Sequence, residues 1–251
     1  MMTTHSDTPA NALALALFTR RFSTLAASGV PMFRCLAILE ADCPPPLSEA
    51  SRELFATVAQ ENKTLSEAMR KLPALFSPFY ISMITVGEIG GVLDETLRYL
   101  AEFLEEGWKL WRLTGAQNEW LSFAIPSDLP PSQDWAELAP LRRKMIVAMF
   151  CRSYSTLLMS GVPIGTATEV VADLLPARQR DELKAIAQAG FKEGLAAPLE
   201  RIGFLPELVI GLVALGEECR KHGKQDILEA LLAKAADNYE HELHCELAPG
   251  A

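Results

Sequence analysis

The chain has 251 residues, of which 49% are hydrophobic and 22% are charged. These proportions are typical of a globular protein and exclude an intrinsically disordered chain. The formal net charge is −9 and neither half is basic, which excludes the positive surface that nucleic-acid-binding proteins use. We therefore expect a globular protein that is long enough for two domains and has no nucleic-acid partner.

The sequence also argues against membrane insertion and secretion. Its best apolar candidate, residues 10–18, stops at Arg20 and Arg21 and is far shorter than a bilayer requires. No basic segment precedes that stretch, so a secretory signal is not expected. The five cysteines are scattered and form no Cys-x-x-Cys pair, which indicates reduced, mostly buried thiols. The sequence predicts a soluble cytoplasmic protein.

An internal repeat organises the chain. Residues 18–31 recur as residues 150–163 with a constant offset of 132, as between Gly29 and Gly161. Nine matched positions are identical, and Tyr154 replaces Phe22 at the tenth; in the first copy they are Phe18, Arg20, Phe22, Ser23, Thr24, Leu25, Ser28, Gly29, Val30 and Pro31. Dense matches at fixed spacing indicate a duplicated structural unit.

The first copy begins with three predicted helices. Apolar residues at intervals of three and four predict a helix that ends at Gly29, with Pro31 in the first turn of the next helix. This second helix should stop before Pro44, because the residue before a proline is pushed out of helical geometry. Ser48 is a candidate N-cap, and residues 53–61 read as the third helix.

Three more helices are predicted before residue 112. Thr64, with Glu67 three residues later, has the reciprocal capping pattern that starts a short fourth helix. The fifth helix, residues 79–86, is expected to be broken by a glycine-rich turn at Gly87, Gly90 and Gly91. Asp94 is a candidate cap for a long sixth helix over residues 95–111.

The second copy repeats this order, so the sequence predicts an all-α protein of two tandem six-helix bundles. The predicted modules are residues 10–107 and 139–246, joined by a linker at 108–138. All four tryptophans, Trp108, Trp111, Trp120 and Trp135, lie in the linker. We expect them to pack against the bundles, since tryptophan is usually buried. Peripheral contact with a membrane interface is the alternative.

Two stretches, "FTRRFSTLAASGVPMFRCLAIL" and "TLSEAMRKLPALFSPFYISMITVGEIGGVLDETLRYLAEFLEE", resemble the cytoplasmic module of the type II secretion system F family. That family includes inner-membrane platform proteins of type II secretion and type IV pilus assembly. The Gly-Val-Pro turn, the capped short helix and the Gly-Glu-x-Gly-Gly-x-Leu stretch occur in the family's order. In the second copy Gly216-Glu217 is followed by "ECRKHGKQDIL" instead of a tight turn.

The resemblance implies a non-enzymatic platform that binds a hexameric assembly ATPase or inner-membrane proteins. Family members join their modules through transmembrane helices, and residues 108–143 contain no such span. We therefore expect a soluble relative, at most peripheral to the inner membrane. A cytosolic regulator or adaptor that binds a small ligand or an unrelated partner is the alternative. The glycine-rich turn and the apolar fifth helix can support a symmetric dimer.

Catalytic residues are not expected. The histidines are His5 in the N-terminal segment and His222, His241 and His244 late in the second copy, and no nucleophile elbow or phosphate loop accompanies them. We predict no enzyme activity and no cofactor. His241, His244 and Cys245 have spacing that can share a metal on a helix, but a solvated helix end is the favoured interpretation.

Glu88 and Glu217 each follow a glycine at the same place in the two copies. The favoured interpretation is that each carboxylate accepts hydrogen bonds from nearby turn amides. The alternatives are a partner contact or, at Glu88 with Asp94, an oxygen-ligated cation.

Arg20 and its counterpart Arg152 are expected on the exposed edge of the first helix of each copy, as is Arg21. Solvated positions are the ordinary expectation for arginines there. The functional alternative is that Arg20 and Arg152 dock an acidic partner surface.

Overall fold

The computed structural model describes residues 8–114, 134–191, 193–223 and 226–247. All regular elements in these ranges are helices, which confirms the all-α prediction. The chain divides into two compact units, Met1–Asp128 and Leu129–Ala251, and the division falls within the predicted linker. Within the described ranges no helix is both long enough and apolar enough to cross a membrane.

The described part of the first unit contains six helices, which are α1 Thr8–Ala27, α2 Met32–Asp42, α3 Leu47–Glu61, α4 Leu65–Met69, α5 Pro78–Gly90 and α6 Leu93–Thr114. Helix α6 packs against α1 and α5, α2 packs against α1 and α3, and α4 packs against α3 and α5. Phe18, Phe22, Phe76 and Tyr80 are fully buried at the centre of this unit. Their rings contact one another in series, with centroids 5.2 to 6.2 Å apart.

The local signals predicted for the first unit hold at several helix ends. Gly29 adopts a φ of +71° after α1, a conformation that glycine tolerates and that lets the chain reverse into α2. Thr64 and Glu67 form the predicted reciprocal capping box at the start of α4. Helix α2 ends at Asp42, before the proline run, as predicted.

Other predicted boundaries of the first unit are wrong. Pro31 is the N-cap of α2 rather than part of its first turn. Helix α3 begins at Leu47, because burial of residues in its first turn extends the helix back to the proline run, and Pro46 rather than Ser48 occupies the N-cap. Gly87 and Gly90 continue α5 instead of breaking it, and Gly91 alone ends it in the left-handed conformation.

The sixth helix is longer than predicted at both ends. Helix α6 starts at Leu93, so Asp94 lies in its first turn and is not its cap. It continues to Thr114, past residue 108, where the predicted linker begins. Trp108 is therefore a half-buried helical residue. Trp120 and the side chain of Trp111 lie outside the described residues.

The described part of the second unit contains a short 3-10 helix, Trp135–Glu137, and six α-helices, which are α7 Pro140–Met159, α8 Ile164–Ala172, α9 Ala177–Ala189, α10 Ala196–Ile202, α11 Glu207–Lys221 and α12 Ile227–Leu247. Their packing partners repeat those of the first unit: α12 contacts α7 and α11, α8 contacts α7 and α9, and α10 contacts α9 and α11. Gly161 repeats the left-handed turn with a φ of +77°. These correspondences agree with the predicted repeat.

Trp135 packs on the second unit, as predicted for the linker tryptophans. Its ring meets Phe204 edge-on with centroids 5.8 Å apart, and its backbone N–H donates to Gln179 Oε1 at 3.1 Å. The cysteines are free thiols, and Cys35, Cys43 and Cys151 are buried. Burial raises the pKa of the Cys151 thiol to about 12, so this side chain behaves as an inert core residue.

Candidate functional site

A carboxylate clamp holds the start of α4 in the first unit. Glu88, near the end of α5, accepts the backbone N–H of Leu65 at 2.6 Å and that of Ser66 at 3.1 Å. The capping box adds two more bonds, from the Glu67 N–H to Thr64 Oγ1 and from the Thr64 N–H to the Glu67 carboxylate. The first N–H groups of a helix have no partners within the helix, so these bonds fix α4 against α5.

The second unit has the same carboxylate clamp but no capping side chain beside it. Glu217 on α11 accepts the N–H groups of Leu195 and Ala196 at the start of α10, the latter at 3.1 Å. Where the first unit has Thr64, this unit has Gly194, with a φ of +83°. A Cβ there would lie 2.9 Å from Glu217 Oε1. Gly194 therefore gives the carboxylate room but supplies no capping side chain.

A glycine directly before each clamp glutamate sets its position. A Cβ on Gly87 would lie 2.9 Å from the Cα of Leu93, and a Cβ on Gly216 would lie 2.8 Å from the Cα of Leu228. In each unit the glycine thus lets the clamp helix, which carries the clamp glutamate (α5 or α11), touch the backbone of the closing helix, which is the last helix of the unit (α6 or α12). This close approach, rather than a helix break, is the physical reason for a glycine at these two positions.

The predicted arginines bind acidic residues of their own closing helices. The Arg20 guanidinium pairs with both carboxylate oxygens of Glu105 at 2.7 Å. Arg152 pairs with Glu240 and Asp237. Hydrogen bonding and charge from Arg20 lower the pKa of Glu105 below its ordinary value. Both arginines therefore join the first helix of a unit to its last.

The sequence did not identify the acidic partners of these arginines. Glu105 lies in the predicted sixth helix, and Asp237 and Glu240 lie in the corresponding stretch of the second copy, where no individual acidic residue was singled out. The available signal was the repeat itself, since an acid recurs at an equivalent turn of both closing helices.

Both oxygens of Glu88 accept amide hydrogen bonds, and Asp94 is exposed in the first turn of α6. The amides that Glu88 binds belong to a helix more than 20 residues away in sequence, not to its own turn. In this arrangement the carboxylate acts as a helix clamp, and each of its two oxygens accepts one backbone N–H.

The remaining candidates are the histidines and Cys245, considered as metal ligands. The Cys245 Sγ lies 3.7 Å from His241 Nε2 on the exposed end of α12. Among the described residues, no three His, Cys, Asp or Glu side chains are grouped so that they can hold a metal ion. His5 lies outside these residues.

An exposed aromatic pair lies on the outer side of α2 and α3. The Phe33 and Phe55 side chains are 46% and 38% exposed, and their rings meet edge-on with centroids 5.8 Å apart. Arg34, next in sequence, is also exposed. We call these three residues the aromatic patch. Two accessible phenylalanines that contact each other form a feature that binding surfaces often use.

Comparison with known proteins identifies relatives of the chain. Residues 18–117 match the family model described as type II secretion system (T2SS), protein F, which lies within the first unit. The type IV pilus assembly protein PilC of Myxococcus xanthus is 22% identical over 91% of this chain and 71% of its own length. The type II secretion system protein F of Xanthomonas campestris is 26% identical, over 93% and 74% respectively.

A shorter alignment is closer in sequence. The type II secretion system protein F of Vibrio cholerae is 32% identical over 96 residues, which are 38% of this chain and 24% of that protein. The two long alignments reach both units, and they confirm the resemblance predicted from the Gly-Val-Pro and Gly-Glu stretches. They extend over 302 and 310 positions, more than the chain contains. These relatives therefore have internal segments without a counterpart here.

Proposed function

We propose, on the premise that this chain is a relative of type II secretion protein F and type IV pilus assembly protein PilC, that it is a non-enzymatic scaffold. In this role it acts at the cytoplasmic face of the inner membrane and docks an assembly ATPase or inner-membrane proteins of a secretion or pilus system. One observation carries the proposal: similarity to proteins named for secretion and for pilus assembly extends over nine tenths of the chain.

The geometry of the units supports a scaffold. The polar side chains that recur in both units, Arg20 and Arg152 with Glu88 and Glu217, are used in bonds that fix helices to one another. Internal bonds of this kind make rigid helix faces, which lower the conformational cost of binding. Two related units on one chain also raise the effective concentration for a second contact with the same assembly.

A direct binding measurement tests the proposal. The full chain is immobilised and exposed to the purified assembly ATPase of the host's secretion or pilus system, with and without ATP. We expect saturable binding that an unrelated hexameric ATPase does not show. Photo-crosslinking in cells, from reactive groups placed on exposed helix positions, should recover the same ATPase or an inner-membrane component. Recovery of neither by the two methods would contradict the proposal.

A further inference from the structure

The last turns of α12 carry two metal-binding side chains that face each other. His241 Nε2 and Cys245 Sγ lie 3.7 Å apart, and both side chains are exposed to solvent. A spacing of four residues places them one helical turn apart and within about 40° of each other around the helix axis. Of the five cysteines of the chain, Cys245 is the exposed one. These two donor groups can therefore be reached from solvent without a change in the fold.

The distance between the two donor atoms matches the spacing of two ligands on one metal ion. Zinc bonds a thiolate sulfur at about 2.3 Å and an imidazole nitrogen at about 2.1 Å, usually with tetrahedral geometry. Two such bonds at the tetrahedral angle place the sulfur and the nitrogen about 3.6 Å apart. The observed 3.7 Å agrees with this value, so an ion can bind both atoms with the helix as it stands. In the other contact open to this pair, an S–H···N hydrogen bond, the thiol proton occupies the position of that ion.

The carboxylates near this pair on α12 are bound to basic residues of α7. Glu242 and Glu246 both bind Lys144. Asp237, one turn before the histidine, binds Arg152. Selection of an ion at this place therefore depends on the nitrogen and sulfur donors rather than on charge. Thiolate and imidazole favour zinc and similar ions, whereas calcium and magnesium prefer oxygen ligands.

We propose that His241 and Cys245 form a two-residue chelate for zinc or a similar divalent cation. The ion bonds to Nε2 and to Sγ, and the thiol proton is released to solvent. Water fills the remaining positions, since within the described part of the chain no third His, Cys, Asp or Glu side chain completes a metal-binding group. The site is thus open, unlike a structural zinc site with four protein ligands. This binding is independent of the proposed scaffold function.

Titration of the reduced, untagged full chain with metal ions tests the proposal. Cd²⁺ is the first probe, because its bond to a thiolate absorbs in the ultraviolet, and Zn²⁺ is then measured in competition with a chromophoric chelator. We expect saturable binding of one ion of either metal per chain. His241→Ala and Cys245→Ser should each weaken the binding at least tenfold, because the second bond depends on a donor held close by on the same helix. Cys245→Ser should also remove the cadmium–thiolate absorption.

Matched variants separate this pair from the other thiols and histidines. Cys219→Ser removes a half-buried thiol of α11, and His222→Ala removes an exposed imidazole; both should leave the affinity unchanged. His244→Ala, on the same helix end, should also leave it unchanged. All of the variants on α12 change exposed side chains, and circular dichroism checks that each stays folded. Affinity that neither His241→Ala nor Cys245→Ser lowers, or an equal loss in His244→Ala and His241→Ala, would overturn the proposal.

The number of ions bound gives a further test. If the chain bound one ion for every two copies, and sedimentation equilibrium showed a dimer that forms only with the metal, the ion would be shared between chains and the proposal would be wrong. Absence of saturable Zn²⁺ and Cd²⁺ binding alongside intact ATPase binding would remove this inference but leave the proposed function standing.

Discussion

The two units share a packing scheme but secure the start of their short fourth helix differently. In the first unit the N-terminus of α4 is held by Glu88 together with the Thr64 and Glu67 capping box. In the second unit Glu217 holds α10 where the capping threonine is replaced by Gly194. The clamp glutamate is thus common to both units, whereas the start of α4 has a side-chain cap and the start of α10 does not.

The connection that follows the clamp helix also differs between the two units. In the first unit α5 passes into α6 through Gly91, which adopts a φ of +68°. In the second unit five residues rather than two separate the corresponding helices, and Arg220 forms an ion pair with Glu229 on α12 at 2.6 Å. The close approach of the preceding glycine to the closing helix is nevertheless the same. The contact between the two helix backbones is therefore kept in both units, whereas the length of the loop that joins the helices is not.

The largest expected effect tests that conclusion. Gly216→Ala places a Cβ 2.8 Å from the Leu228 Cα, and backbone cannot move aside as a flexible side chain can. We expect the free energy of unfolding to fall by about 2 to 3 kcal/mol, as in other overpacked cores. Gly87→Ala should cost nearly the same in the first unit. The measurement is urea unfolding of the full chain followed by circular dichroism.

The matched control for this pair lies in the same helix. A Cβ on Gly211 would meet nothing within 4 Å, so Gly211→Ala should raise stability by up to about 1 kcal/mol through helix propensity. If Gly216→Ala behaved like Gly211→Ala, the close approach of α11 and α12 would not be a constraint.

The next largest effect is expected from substituting the two clamp glutamates. A glutamine at position 217 keeps one acceptor oxygen and turns its NH₂ toward a backbone N–H, so we expect Glu217→Gln to cost about 2 kcal/mol. Glu88→Gln should cost about half as much, because Thr64 and Glu67 still cap α4. Hydrogen exchange of the α4 and α10 amides reports each loss locally. Glu218→Gln, which changes an exposed neighbour, is the control. If Glu88→Gln and Glu217→Gln lowered the free energy of unfolding equally, the capping box would not help Glu88 to hold the start of α4.

The sequence predicted what depends on local chemistry and on repetition. The helical class, the turn at Gly29 and the capping box at Thr64 each follow from a few neighbouring residues. The boundaries at Leu47 and Gly87 were missed because burial and a contact between distant helices decide them, and neither is visible in a local window. The clamp at Glu88 was anticipated as an acceptor of amide bonds, but its partner helix is set by tertiary packing.

Core polar pairs show a difference that no sequence pattern signalled. Tyr80 on α5 meets Thr19 on α1 at 3.0 Å, whereas Tyr154 on α7 meets Thr168 on α8 at 2.6 Å. The two threonines donate to backbone carbonyls, so each tyrosine O–H is the donor in its pair. Burial raises the pKa of both tyrosines. Each unit thus contains one buried tyrosine–threonine pair, but the pair lies between different helices of the shared packing arrangement.

These pairs give the third prediction. Thr19→Val leaves the Tyr80 hydroxyl buried without an acceptor and should cost about 1.5 kcal/mol. Tyr80→Phe removes that donor and should cost about 1 kcal/mol, because Thr19 keeps its bond to the Leu15 carbonyl. The double variant should cost less than the sum of the two, as should the corresponding cycle at Tyr154 and Thr168. Strict additivity in thermal or urea unfolding would show that neither hydroxyl depends on the other.

The smallest effect concerns the ion pairs between first and last helices. Arg20 has Glu105 as its carboxylate partner, whereas Arg152 has both Asp237 and Glu240. These side chains are partly exposed, so we expect Glu105→Gln to cost about 0.5 to 1 kcal/mol at pH 7. Glu240→Gln should cost less, since Asp237 retains a bond to Arg152.

The pH dependence of this effect has a definite sign. Arg20 lowers the pKa of Glu105 in the folded chain, so the folded state binds fewer protons than the unfolded state in the acid range. The stabilisation is complete above the unfolded pKa of about 4.3 and is lost as the pH falls through the lower folded value. The difference in stability between the wild-type chain and Glu105→Gln should therefore shrink as the pH falls below about 4.3 and through the lowered folded pKa of Glu105. Glu95→Gln, an exposed change on the same helix, is the control for the loss of one surface carboxylate. A difference that persisted at the acid end would mean that Glu105 stabilises the unit through packing rather than charge.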